Sequence, residues 1–154
     1  MSLQTDTASI EAIVSALYKG ISRESGVYSD WERLRRLFSA GARIIPPSMR
    51  GEPPEVLDFE AFRQRVDDNV RHLQAEAKDR GFHERELAKR TERFGNIAHV
   101  WSTYASRYSA KDPEPYTRGI NSFQLAYHSG RWWVVTIFWD MERADNPIPL
   151  EYLP

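Results

Sequence analysis

A chain of 154 residues with 21 basic and 22 acidic side chains, formal charge -1, is long enough to bury roughly two thirds of the surface its unfolded form exposes. Its charge is too balanced to present a nucleic-acid or membrane surface. The absence of cysteine excludes disulfides, thiolate metal sites and cysteine nucleophiles.

The opening segment MSLQTDTASIEAIVSALYKG carries Asp6 and Glu11 and lacks a basic start followed by a continuous apolar run. No stretch reaches the ~20 apolar residues of a membrane span, so a soluble, cytoplasmic protein without a signal peptide is expected. Ile10, Ile13, Val14, Leu17, Tyr18 and Ile21 recur at three- and four-residue spacing, one stripe of a helix that Asp6 or Thr7 is placed to cap. A break containing Gly26 leads to Ser29-Asp30-Trp31-Glu32, a capping-box spacing ahead of Leu34, Leu37 and Phe38, and so to a short second helix. Ala42-Arg43-Ile44-Ile45 reads as a short strand halted by Pro46-Pro47. After a loop rich in Gly and Pro, Asp58 caps a third helix. Its apolar positions are Phe59, Phe62, Val66, Val70 and Leu73, and Gly81 is its expected stop.

From Phe82 to Phe94 the chain is charged on either alternation, which predicts a strand partly in solvent and guarded against edge pairing. Gly95-Asn96 is a turn, and Ile97 to Ser109 follows as a strand. Tyr116 to Asp140, YTRGINSFQLAYHSGRWWVVTIFWD, places two strand-forming runs around His128-Ser129-Gly130, the pattern of a long hairpin. In its second arm, strict alternation puts Trp132, Val134, Thr136 and Phe138 on one face and Trp133, Val135, Ile137 and Trp139 on the other. Both faces are apolar, so one should meet the helices and the other a second subunit. The tail, 144–154, holds three prolines and cannot continue the sheet, though Ile148, Leu150, Tyr152 and Leu153 can bury against the body or a partner. The pattern predicts one α+β domain over 1–154, with three N-terminal helices on a curved, mostly antiparallel sheet around a conical pocket.

On these residues the chain resembles the nuclear transport factor 2-like (SnoaL-like, cystatin-like α+β cone) superfamily from the first helix to Asp140. FGNIAHVWSTYASR at Phe94 to Arg107, RGINSFQL at Arg118 to Leu125 and GRWWVVTIFW at Gly130 to Trp139 are similar to an uncharacterised bacterial group within it. The resemblance implies fold more than activity, because the fold hosts isomerases, dehydratases, cyclases, hydrolases and binding modules. Within the superfamily, DWERLRRLFSAGARIIPP, Asp30 to Pro47, is similar to the segment of ketosteroid isomerase that carries its general base; Pro46 stands at that position. The SALY segment resembles the one bearing the oxyanion-hole tyrosine, here Tyr18, and the acid that assists it falls at Ser122. Proline cannot shuttle a proton, so steroid isomerase chemistry by that route is not expected.

The register implied by the resemblance turns Trp133, Val135, Ile137 and Trp139 toward the pocket with Ser122 and Gln124. Tyr18, Ser122 and Gln124 would then orient a ligand's oxygen atoms while Phe62, Trp133 and Trp139 enclose its apolar body. The alternative is a polar network satisfied internally or by water. His99 in its strand is either a base or a cross-sheet hydrogen-bonding group. His83 and Glu84 point to opposite strand faces, which argues against a shared metal. The expectation is a pocket protein for a small, largely apolar ligand with oxygen functions, with no cofactor and no metal. Two other readings are an isomerase, cyclase or hydrolase using His99 or Glu84 as acid/base, and a structural or partner-binding domain with a closed pocket. A homodimer is expected through an outer sheet face carrying Asn121, Phe123, Leu125, Trp132, Val134 and Phe138.

Overall fold

The apolar stripe beginning at Ile10 folds as α2 (Ile10–Ile21), preceded by one short turn of helix, α1 (Leu3–Asp6), in a computed structural model that describes residues 2–48 and 51–154. The cap of α2 is Ser9, whose side chain accepts from the Ala12 N–H at 3.0 Å. Asp6, an expected cap, instead receives two hydrogen bonds from Arg33 at 2.8 and 2.9 Å, tying α1 to α3 (Trp31–Arg35). Asp58 caps α4 (Phe59–Ala75) as the sequence indicates. That helix stops before Gly81, at Glu76, with Ala77 in the left-handed region at φ 55°. Gly81 serves a different need: its φ is 92°, and a Cβ there would lie 2.7 Å from the Tyr108 carbonyl oxygen.

Five strands follow the order β1-β5-β4-β3-β2, with β1 (Phe38–Ile45), β2 (His83–Phe94), β3 (Ile97–Arg107), β4 (Thr117–His128) and β5 (Arg131–Met141). β1 runs parallel to β5 and the other pairs are antiparallel, so the sheet is mixed. β1 begins at Phe38, earlier than Ala42, because Phe38 already pairs with Val134 before a register break leads to Arg43 opposite Thr136. The core lies between the helices and one face of this sheet, where Ile13, Leu37, Val100 and Val134 have no accessible surface. Among the described residues, no helix is long and apolar enough to cross a membrane.

A single extra residue in β5 reverses part of the expected face assignment. Leu125 pairs with Val134 and Gln124 with Thr136, so Val135 has no partner and forms a bulge. Side chains on β5 therefore change parity: Trp132 and Val134 face the helices near the turn, and beyond the bulge so do Ile137 and Trp139. β4 has no bulge, and Asn121, Phe123 and Leu125 all face inward and are buried. Of the six residues expected on the outer face, only Phe138 lies there, 46% exposed, and the other five are core. Ser122 and Gln124 pair with Phe138 and Thr136 on the outer face. The tail crosses that face: the Tyr152 carbonyl accepts from Thr103 Oγ1 at 2.6 Å, its ring meets Trp101, and Glu151 pairs with Arg90.

Candidate functional site

Between α2, α4 and the inner face of the sheet lies a cavity of about 630 Å³. One end is aromatic and aliphatic. Trp31 meets Phe59 and Phe62 edge-on, and Phe62 in turn meets Trp139, with ring centroids 6.0 to 6.2 Å apart. Leu17, Ile44 and Ile137 complete this wall.

The other end is polar and centred on Glu84. Ser22, next to the end of α2, ties β2 to that helix at this residue: its Oγ accepts from the Glu84 N–H at 3.0 Å and donates to the Tyr18 carbonyl at 2.7 Å. The carboxylate accepts long hydrogen bonds from Asn121 Nδ2 and Ser106 Oγ, each 3.4 Å. It keeps partial accessible surface because it faces the cavity. Burial pushes its pKa from 4.5 up to about 7, against the opposing pull of Asn121 and Ser106. Both cations in the lining are already used, Arg65 by Glu55 at 2.6 Å. Arg23 is clasped by Asp79 at 2.8 and 3.0 Å, both side chains nearly inaccessible, and those hydrogen bonds hold the Asp79 carboxyl well below the usual carboxylate range.

Behind Glu84 runs a chain of hydrogen bonds. Asn121 Nδ2 also donates to Tyr18 Oη at 3.1 Å, Tyr18 Oη lies 2.6 Å from Ser102 Oγ, and Ser102 Oγ donates to Glu86 Oε2 at 2.5 Å. Tyr104, next to Glu84 on the inner face, has a hydroxyl with no hydrogen-bond partner among the described residues. It reaches over Gly119, where a Cβ would sit 2.5 Å from that oxygen. Burial, and then the Glu84 charge, raise the pKa of both Tyr18 and Tyr104, so both hydroxyls keep their protons. The site thus offers one group that gains and loses a proton near neutrality and one hydroxyl free to donate.

Of the residues singled out from the sequence, Tyr18, Phe62, Trp139 and Glu84 line the cavity. Tyr18 does so with its hydroxyl turned into the chain just described. Ser122, Gln124 and His99 lie on the opposite side of the sheet, where His99 Nε2 is 2.9 Å from Ser122 Oγ, so neither His99 nor Ser122 can reach a molecule in the cavity. Trp133 stacks on His128 at 5.0 Å in the hairpin turn and donates to its carbonyl. Pro46 follows β1 and is not part of the lining. Asn121, Tyr104 and Ser106 were not among the sequence candidates. The polar run Asn121-Ser122 contains a residue for each face, so only the strand register distinguishes them.

No protein-family model and no curated protein matches this chain. Solved structures do. A protein with a cystatin-like fold and unknown function from Nostoc punctiforme superimposes with a TM-score of 0.63 at 12% identity, over 88% of this chain and 90% of that one. A nuclear transport factor 2-like protein of unknown function from Silicibacter pomeroyi gives 0.60 at 18% identity, over 88% and 94%. A protein of unknown function from Mycobacterium tuberculosis gives 0.62 at 16% identity, over 91% and 79%. At these identities the likeness establishes the fold.

Proposed function

We propose that this chain, which has the nuclear transport factor 2-like α+β fold, binds a small, largely apolar molecule bearing an oxygen function and catalyses proton transfer on it through Glu84. The observation that carries this reading is the Glu84 carboxylate, without a counter-ion, at the polar end of a largely apolar cavity, with its pKa near the pH at which it would work. A carbonyl compound seated against Trp31, Phe62 and Trp139 would place its oxygen at the polar end. Glu84 takes a proton from the carbon beside the carbonyl, Tyr104 Oη–H stabilises the oxygen as charge grows on it, and Glu84 returns the proton to a different carbon. Atoms and electrons balance within the substrate, so the product is its isomer. This base lies on β2, away from the Pro46 position where the ketosteroid isomerase comparison looks for one.

The test uses cyclic enones and aryl ketones that raise the melting temperature. Each is incubated with the protein in deuterated water and analysed by mass spectrometry for deuterium gained at carbon. The expected result is exchange that Glu84→Gln abolishes while binding persists. Binding without exchange for every such compound refutes the catalytic reading and leaves a ligand-binding protein.

A further inference from the structure

The polarity of the chain behind Glu84 can be worked out from its outer end. Glu86 is 23% exposed, and its second oxygen lies 3.6 Å from Lys89 Nζ. A carboxylate only accepts, so Ser102 spends its single proton on Glu86. Tyr18 must then donate to Ser102, and its oxygen is left as an acceptor. That acceptor faces the Asn121 amide, which is settled with Nδ2 toward Tyr18 and the second proton of the same nitrogen toward Glu84. The remote carboxylate therefore decides which end of an amide Glu84 meets.

We infer that Glu86 is a positioning residue: through Ser102, Tyr18 and Asn121 it keeps a hydrogen-bond donor aimed at Glu84 and so favours the base form of that carboxylate. If the chain is cut, Asn121 is free to turn its oxygen toward Glu84, and an acceptor there favours the protonated acid. Several other charged and titratable groups near Glu84 do not compete for this role. Tyr104 from β3 and Tyr116 ahead of β4 stay protonated, the latter with its pKa raised by burial to about 12. Arg23 is held by Asp79, Arg65 of α4 by Glu55 at 2.6 Å, and Asp140 of β5 by Arg143 at 2.8 Å.

The direction of the effect separates this mechanism from simple electrostatics. Deleting a nearby negative charge lowers the pKa of a carboxylate through space, whereas cutting the chain raises it. Carbon-13 NMR titration of the ligand-free protein, labelled at glutamate and with Glu84 assigned by Glu84→Gln, reads the midpoint directly. Glu86→Ala and Ser102→Ala are each expected to move it up by about one pH unit, and the double variant no further, since either change breaks the same chain. Tyr18→Phe removes the acceptor and should act likewise, which keeps the test intact if one variant does not fold. A downward or absent shift in Glu86→Ala, or additive shifts in the double variant, overturns the inference. The titration needs no substrate, so its failure is distinct from failure of the exchange assay that tests the catalytic reading.

Discussion

Replacing Glu84 by Gln should make the protein more stable at alkaline pH, an unusual outcome for a residue at a candidate site. The folded protein holds a proton on Glu84 up to about pH 7, while the unfolded chain releases it near 4.5. Between those values the folded state binds more protons, so stability falls as pH rises from 4.5 to 7 and is flat on either side. At ~1.4 kcal/mol per pKa unit, the displacement costs the wild type about 3 kcal/mol above pH 7. Glutamine has the shape of the protonated acid and no charge to desolvate. The variant and wild type should therefore match closely near pH 4.5 and separate by about 2 to 3 kcal/mol near pH 8. Urea unfolding at several pH values measures this, and the difference between the two proteins cancels every other titrating group. Parallel stability profiles would refute the burial argument, and with it the proton-transfer chemistry proposed for this carboxylate.

Four further outcomes are open to measurement. Arg23→Met strands the Asp79 carboxylate in a dry site and should cost about 3 to 5 kcal/mol. Because the Asp79 pKa is lowered from 3.8 by Arg23, the stability from this pair is present above that value and lost as pH falls, so Asp79→Asn should flatten the acid limb of a pH-melting profile. Gly119→Ala sets a Cβ against both the Asp140 carbonyl oxygen of the paired strand and the Tyr104 hydroxyl; a loss of about 1 to 3 kcal/mol in chemical denaturation is expected, and an unchanged midpoint would refute that close approach. The outer sheet face leaves Phe94, Ile97 and Phe138 exposed, and we propose that two copies associate there. Light scattering at micromolar concentration should give a dimer mass that Phe138→Glu reduces to a monomer, and a monomeric wild type excludes the association.

Local signals in the sequence were sufficient for the elements themselves. The stripe from Ile10 to Ile21, the Asp58 cap, the Gly95-Asn96 turn and the His128-Ser129-Gly130 break each specify backbone geometry through neighbours a few residues away. Helices α2 and α4 and the two hairpins form where those signals stand. The register implied by the family resemblance also turned Trp139 toward the pocket beside Phe62 of the third helix, and both line the cavity.

Which face each hairpin residue presents was a different kind of question. Alternation carries the answer along a strand only while pairing is regular, and Val135 sits in a run of β-branched and aromatic residues with no glycine or proline to announce a bulge. One unpaired residue moved Trp132 and Val134 into the core and left Ser122 and Gln124 outside, because the side-chain period of a strand is two. The character of Glu84 was likewise decided in three dimensions. Its sequence surroundings are charged, but the tertiary structure turns it inward, gives the nearby arginine to Asp79, and places Asn121 and Ser106 from separate strands against it. The sequence by itself determined the helices, the strands and their order along the chain. Only packing determined which carboxylate would be left without a counter-ion, since desolvation depends on everything that surrounds a group and not on its neighbours in the chain.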